Sequence, residues 1–171
     1  MQLFVEQGYD ATTVAQIAER AGLTERTFFR HFADKREVLF SGSAQLAELL
    51  VDRVSAAPKG TAPIEAVGAA LEAAGALIQE RGEWAKRRQD VIAANTELRE
   101  RELIKLATLA SSLADALRAR GVKEPSATLT GEAGIAAFKV GFTNWVEQPT
   151  RRSLPRLIRQ SLDDLRAVTA G

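Results

Sequence analysis

Thr12-Thr13-Val14-Ala15-Gln16-Ile17-Ala18-Glu19-Arg20-Ala21-Gly22-Leu23-Thr24-Glu25-Arg26-Thr27-Phe28-Phe29-Arg30-His31-Phe32 contains two helix beginnings and one helix end in quick succession. Thr13, with Gln16 three residues on, is a capping-box pair in which a hydroxyl and a side-chain amide satisfy orphan backbone donors reciprocally. Val14, Ile17, Ala18 and Ala21 share one helical face and form the expected buried stripe. Gly22 follows where a left-handed residue ends a helix without a steric penalty. Thr24 then caps a second helix, with Leu23 and Phe28 spaced as a hydrophobic staple across its first turn. Phe28 and Phe32, at i and i+4, turn inward. Glu25, Arg26, Thr27, Arg30 and His31 are left outward, on the surface a major groove would meet. Two capped helices about a Gly-Leu-Thr turn read as a helix-turn-helix. The alternative for a charged helix is a plain solvated face.

The pattern runs on into Ala33-Asp34-Lys35-Arg36-Glu37-Val38-Leu39-Phe40, where Asp34 and Glu37 form another capping pair and Lys35 stands beside Arg36 at a helix start. The whole chain of 171 residues carries a formal charge of only +1, which implies no general affinity for polyanions. The basicity is local. Between Arg20 and Arg36 there are Arg20, Arg26, Arg30, Lys35 and Arg36 against Glu25 and Asp34.

With Gly8-Tyr9-Asp10-Ala11-Thr12-Thr13-Val14, Ile17-Ala18, Ala21-Gly22-Leu23-Thr24, Phe28-Phe29-Arg30-His31-Phe32, Lys35 and Leu39 in order, the chain resembles the DNA-binding domain of TetR-family bacterial transcriptional regulators. The resemblance implies phosphate contacts at Thr12, Thr13, Phe29, His31 and Lys35, and base contacts at Glu25, Arg26, Thr27 and Arg30, with Thr24 joining the set as the helix cap. Phe29 stands where the family usually has Tyr, which removes a phenolic hydrogen bond to phosphate. Family members usually carry a longer first helix with a basic lead-in. Here only Met1–Gln7 precede Gly8, so the first helix is expected to be short, or preceded by residues beyond this sequence.

Composition excludes several classes of function. Hydrophobic residues make up 46% of the chain, enough for a core, and charged residues 26%, as in soluble proteins. Cysteine is absent, which removes disulfide and thiolate chemistry and suits a reducing cytoplasm. No apolar run approaches spanning length, and no signal peptide is read at Met1. The sole histidine, His31, lies in the reading helix, and no metal-ligand cluster or phosphate-cradling glycine loop is present. The expectation is a non-enzyme without cofactor or metal. A helical carrier of lipid or acyl chains, lacking sequence-specific DNA binding, is the alternative.

Beyond residue 40 the periodicity is helical throughout, giving an all-α fold of about nine helices, the family's count. Residues 1–40 are expected to form the DNA-binding domain and 41–171 a helical effector-binding and dimerisation domain. A helix is expected from about Lys35 to Ser55, broken by Ala57-Pro58-Lys59-Gly60-Thr61-Ala62-Pro63. Further helices are expected over Ile64–Glu80, Trp84–Ala94 and Thr96–Arg120. Another starts at Pro125 and ends near Gln148-Pro149, and the last opens at Ser153-Leu154-Pro155.

Two surfaces stand out in this part. Thr130–Phe142 mixes small and large apolar residues, and Leu154, Leu157, Ile158, Leu162, Leu165 and Val168 form a stripe. Together they read as a homodimer interface, with Gly134, Phe138, Gly141, Leu154, Ile158, Leu162 and Leu165 at its centre. The alternative is that both faces are consumed inside one subunit. Trp84, Arg88, Val91, Ile92 and Asn95 share a face that, with Phe138, Phe142 and Trp145, reads as an effector pocket in which Arg88 anchors an anion. Its alternative is a salt bridge from Arg88 to Glu102 or Glu132. Arg87-Arg88-Gln89-Asp90-Val91-Ile92 with Asn95-Thr96-Glu97-Leu98-Arg99-Glu100-Arg101 also looks like the C-terminal domain of acyl-CoA-like ligand-binding TetR members. That implies a fatty acyl or acyl-CoA-type effector. The expected function is a cytoplasmic homodimeric repressor on a palindromic double-stranded operator, released by a small anionic, amphipathic effector.

Overall fold

The computed structural model describes residues 1–147 and 152–170. In chain order the helices are α1 (Gln2–Gln7), α2 (Val14–Arg20), α3 (Glu25–His31), α4 (Glu37–Phe40), α5 (Ser43–Ala56), α6 (Pro63–Glu80), α7 (Gly82–Ala93), α8 (Thr96–Ala119), α9 (Ser126–Glu147) and α10 (Leu154–Thr169). The described residues include no strand. The fold is all-α, and one interrupted helix separates ten segments from nine. The helix expected over Lys35–Ser55 starts later and breaks once. Asp34 accepts hydrogen bonds from the backbone N–H groups of Arg36 (2.8 Å) and Glu37 (3.3 Å), which delays the helix to Glu37. A turn at Ser41 and Gly42 then interrupts it, glycine being a poor helix former. The α9 end expected near Gln148-Pro149 lies outside the described residues.

One compact unit consists of residues 1–43 and 83–103. Its core is Phe4, Tyr9, Leu39, Phe40, Val91, Ile92 and Leu98. A division at residue 40 therefore does not describe the packing, because Val91, Ile92 and Leu98 complete the core that the short N-terminal helices cannot build alone. Arginine pairs reinforce the same join. Arg36 pairs with Asp34 and Glu97, Arg101 with Glu37, and Arg88 with Glu102.

The other unit takes in residues 44–82 and runs from 104 onward. Here α9 lies against α6, α8 and α10, and its glycines set the approach, since interaxial distance depends on the side chains at the contact. A Cβ on Gly131 would fall 2.5 Å from the carbonyl oxygen of Ala110 in α8, one on Gly134 2.5 Å from Val67 of α6, and one on Gly141 2.9 Å from the backbone nitrogen of Ile158 in α10. From α6, Gly68 and Gly75 meet Leu162 and Ile158 in the same way.

The expected dimer interface is thereby corrected. Gly134, Phe138, Gly141, Leu154, Ile158 and Leu162 are all buried within one subunit and Leu165 is half-buried, because α9 is apolar on three sides and three helices of its own chain cover them. Val168, placed on the same stripe, is exposed. Arg120 donates to the carbonyls of Ser55 (3.2 Å), Ala57 (2.6 Å) and Pro58 (2.9 Å), acceptors at and just beyond the end of α5.

Candidate nucleic-acid interface

The turn between α2 and α3 is built as its residues dictate. Thr13 accepts from the Gln16 N–H at 3.2 Å, while the Gln16 side chain accepts from the Thr13 N–H at 2.9 Å, so the capping box is complete. At the other end the N–H of Leu23 reaches the Ala18 carbonyl (2.8 Å) and that of Gly22 the Glu19 carbonyl (3.0 Å). This double closure is a Schellman motif and needs a left-handed residue, supplied by Gly22 at φ 67°. Thr24 then caps α3 by accepting from the Thr27 N–H at 3.2 Å. The expected stripe is only partly buried. Ala18 is enclosed, Val14 and Ile17 are half-buried, and Ala21 is exposed because the helix ends there. Leu23, expected to staple onto Phe28, is 43% exposed.

α3 presents one face inward and the rest outward. Phe28 is buried and stands 5.2 Å from the Phe32 ring. Glu25, Arg26, Phe29, Arg30 and His31 are exposed. Arg26 and Arg30 are one helical turn apart. Among the described residues, the side chains of Glu25, Arg26, Arg30 and His31 have no hydrogen-bond or ion-pair partner, unlike those of Arg36, Arg88 and Arg101. Their donors and acceptors point to solvent unused. Thr27 is half-buried, and its hydroxyl lies 3.1 Å from that of Thr24. Phe29 is 54% exposed, edge-on to Phe28.

Two residues expected at phosphates bond to backbone carbonyls of the turn before α2 or of the helix preceding it. Thr12 is only 1% exposed, its hydroxyl donating to the Gly8 carbonyl at 2.7 Å, so it is a buried turn residue and not a surface contact. Lys35 turns its ammonium back onto the carbonyls of Tyr9 (2.8 Å), Thr12 (2.9 Å) and Asp10 (3.3 Å), with Nζ 4.3 Å from the centre of the Tyr9 ring. Neither could be placed from sequence, since the partners come from the preceding turn and not from the same helix.

Two family descriptions match the chain. "Bacterial regulatory proteins, tetR family" covers residues 1–41, and "MftR C-terminal domain" covers residues 61–170. The chain belongs to the TetR family of bacterial regulatory proteins. The HTH-type transcriptional regulator TcmR of Streptomyces glaucescens is 41% identical over 73 residues, a match spanning 43% of this chain and 32% of that protein. Solved TetR-family structures share the fold. A regulator from Mesorhizobium loti has a TM-score of 0.65 at 21% identity, covering 98% of this chain and 91% of that one. FadR of Thermus thermophilus, in complex with lauroyl-CoA, has a TM-score of 0.58 at 23% identity, covering 96% and 88%. The chain thus combines the helix-turn-helix head of the TetR family with a helical C-terminal domain.

The residues expected to line the effector pocket of this TetR-family chain fall into both compact units. In the first, Val91 and Ile92 are core residues, Asn95 donates to the Val91 carbonyl at 2.7 Å, and Trp84 is 41% exposed. Arg88 is engaged through two of its nitrogens. Its Nε donates to the Leu39 carbonyl at 2.8 Å, Nη1 pairs with Glu102 at 3.0 Å, and the guanidinium lies 4.9 Å from the Phe40 ring centre. Burial lowers its pKa and the Glu102 carboxylate opposes that shift. Arg88 thus makes the salt bridge to Glu102 that is the alternative read from the sequence, and it ties α7 to α4 and α8. In the second unit Phe138, Phe142 and Trp145 form a ladder with successive ring centres 5.9 Å apart, Phe138 and Trp145 buried and Phe142 half-buried. Among the described residues no group of three His, Cys, Asp or Glu could hold a metal, and no helix is long and apolar enough to cross a membrane.

Proposed function

We propose that this chain is a cytoplasmic, DNA-binding repressor that acts as a homodimer on a palindromic operator and is released by a small amphipathic effector. The outward face of α3 carries the reading. Arg26 and Arg30, one turn apart with unused guanidinium donors, have the chemistry that pairs bidentately with guanine in a major groove, and Glu25 has that which accepts from cytosine. Thr27 stays with the base-reading set, while Thr13 and Thr24, at the two caps, and Phe29 and His31 along the same surface are assigned to its sugar-phosphate edge. Functionally, residues 1–40 are the reader and 41–171 the effector-binding and dimerising part.

The dimer reading moves to a different face of the same helices. On α9, Leu129 (63% exposed), Ala133, Ala136, Val140 (54% exposed) and Thr143 recur at helical spacing away from the buried side. Such a stripe suits an isologous contact, and two copies would place their α3 helices at half-sites about 35 Å apart. A fatty acyl or acyl-CoA effector is supported by the sequence resemblance of residues 87–101 and by the lauroyl-CoA in the Thermus FadR complex. An effector that favours another spacing of the two heads shifts the population away from DNA.

The test is selection of duplexes from a randomised pool with the full chain, followed by challenge of the bound duplex with lauroyl-CoA. Enrichment of two inverted half-sites, released by the acyl-CoA, is expected. Enrichment of no sequence, with acyl-CoA still bound, favours the carrier.

A further inference from the structure

A groove of about 260 Å³ lies within the first unit, between α1 and α7. Its α1 side is apolar. Phe4 and Tyr9, with ring centres 5.5 Å apart, form the floor, and Val5 beside them is 50% exposed, an apolar surface left bare at the edge of a buried core. The opposite wall carries charge. Arg87 and Asp90, one turn apart on α7, line it, and Ala94 just beyond the helix end continues it.

Both charges are unused. Among the described residues neither the Arg87 nor the Asp90 side chain has a hydrogen-bond or ion-pair partner. Side chains at this spacing are neighbours on a helix, about 5–6 Å apart between Cβ atoms. Elsewhere in the chain such pairs close: Arg118 meets Asp115, and Arg166 meets Asp163 at 3.1 Å. Arg87 and Asp90 stay apart, so the groove presents a cation and an anion together beside an aromatic floor. A ligand that answers all three features carries a carboxylate for the guanidinium, an ammonium for the carboxylate and an apolar group for the floor. A purely anionic ligand is repelled by Asp90, and a purely apolar one desolvates both charges without pairing either. The volume is below the roughly 300–1,000 Å³ of pockets for drug-sized ligands, which suits a molecule of amino-acid size.

We propose that this groove binds a free α-amino acid with a large apolar side chain, Arg87 taking its carboxylate, Asp90 its ammonium, and Phe4, Val5 and Tyr9 its side chain. The site rests on the groove alone and not on the DNA-reading function or on an acyl effector. Its walls come from α1 and α7, so a bound amino acid adds contacts between the first helix of the head and the segment that completes its core.

The test is isothermal titration of the full chain with L-phenylalanine, with 3-phenylpropionate, which lacks the ammonium, and with 2-phenylethylamine, which lacks the carboxylate. Phenylalanine is expected to bind the wild type with a Kd of about 1 mM or tighter, and each analogue about tenfold or more weakly. Arg87, Asp90 and Ala94 are exposed, so Arg87→Gln, Asp90→Asn and Ala94→Leu are expected to unfold at the wild-type temperature. Arg87→Gln should lose about tenfold for phenylalanine and nothing further when the ligand loses its carboxylate. Asp90→Asn should behave in the same way toward the ammonium, because each variant deletes the partner of the group its analogue lacks. Ala94→Leu narrows the groove and should abolish binding of all three. No saturable binding of phenylalanine up to about 10 mM overturns the proposal. So does equal binding of the three compounds by the wild type, a comparison that needs no variant. Binding left intact in both Arg87→Gln and Asp90→Asn puts the ligand outside this groove and overturns it as well.

Discussion

α3 and α9 are opposite solutions to the placing of a helix. α3 has seven residues, of which only Phe28 is buried, and it is held by a threonine cap, a glycine turn and a small aromatic cluster. α9 has 22 residues, and eight of them are buried, five being glycines or alanines beside Ile135, Phe138 and Trp145. A short helix fixed by local caps can leave nearly all its side chains to a partner. A long helix covered by α6, α8 and α10 spends its small residues on close approach inside the subunit. Apolar content therefore misleads about where partners bind: the residues of α9 that look most like an interface are the least accessible.

The largest effect should come from charging the buried side of that contrast. Leu162, 1% exposed and packed on Gly68, would place an unpaired carboxylate in the core as Leu162→Glu. The expected result is a loss of about 3 kcal/mol or more, with collapse of cooperative thermal unfolding and no folded monomer. A folded, dissociated chain in sedimentation would restore Leu162 to an intersubunit surface. Next in size is Gly131→Ala, whose Cβ would meet the Ala110 carbonyl oxygen at 2.5 Å. Backbone cannot swing aside as a flexible side chain can, so a destabilisation of about 1–3 kcal/mol is expected by thermal or urea unfolding. A change at exposed Lys139 of the same helix, Lys139→Arg, should leave stability within about 0.5 kcal/mol.

Alkaline pH probes the first unit separately. Burial, reinforced by the charge of Glu97, pushes the Tyr9 hydroxyl up to about 12. The phenolate is the charged form, so folding favours the neutral phenol. This contribution is complete below the unfolded value of about 10 and is lost as pH rises through about 12. The stability of the wild type relative to Tyr9→Phe should fall over that window, as followed by urea unfolding at each pH. A constant difference would mean that Tyr9 titrates as it does in water.

What was legible in the sequence follows the range of the interactions. The boundaries of α2 and α3 were readable because Thr13, Gln16, Gly22 and Thr24 act within a few residues of themselves. The sides on which α9 is buried were not, because small residues permit close approach without saying to whom. Arg88 showed the right alternative, a bond to Glu102, but its second partner is a backbone carbonyl of Leu39, which no side-chain pattern announces. The orientations of Lys35 and Thr12 are not legible for a related reason. Family resemblance located them beside the reading helix, and the carbonyls of the preceding turn decided which way they point. Nor does sequence spacing foretell that residues 83–103 complete the N-terminal core.

The central claim is that the free face of α3 reads DNA while contributing little to the fold. The most direct measurement pairs duplex affinity at fixed salt with thermal unfolding for Arg26→Ala and Arg30→Ala, using the duplex selected by the wild type. Each variant should lose about 1–3 kcal/mol of specific binding, on the order of tenfold, with unfolding unchanged. Undiminished affinity in both variants would remove α3 from the interface and contradict the account.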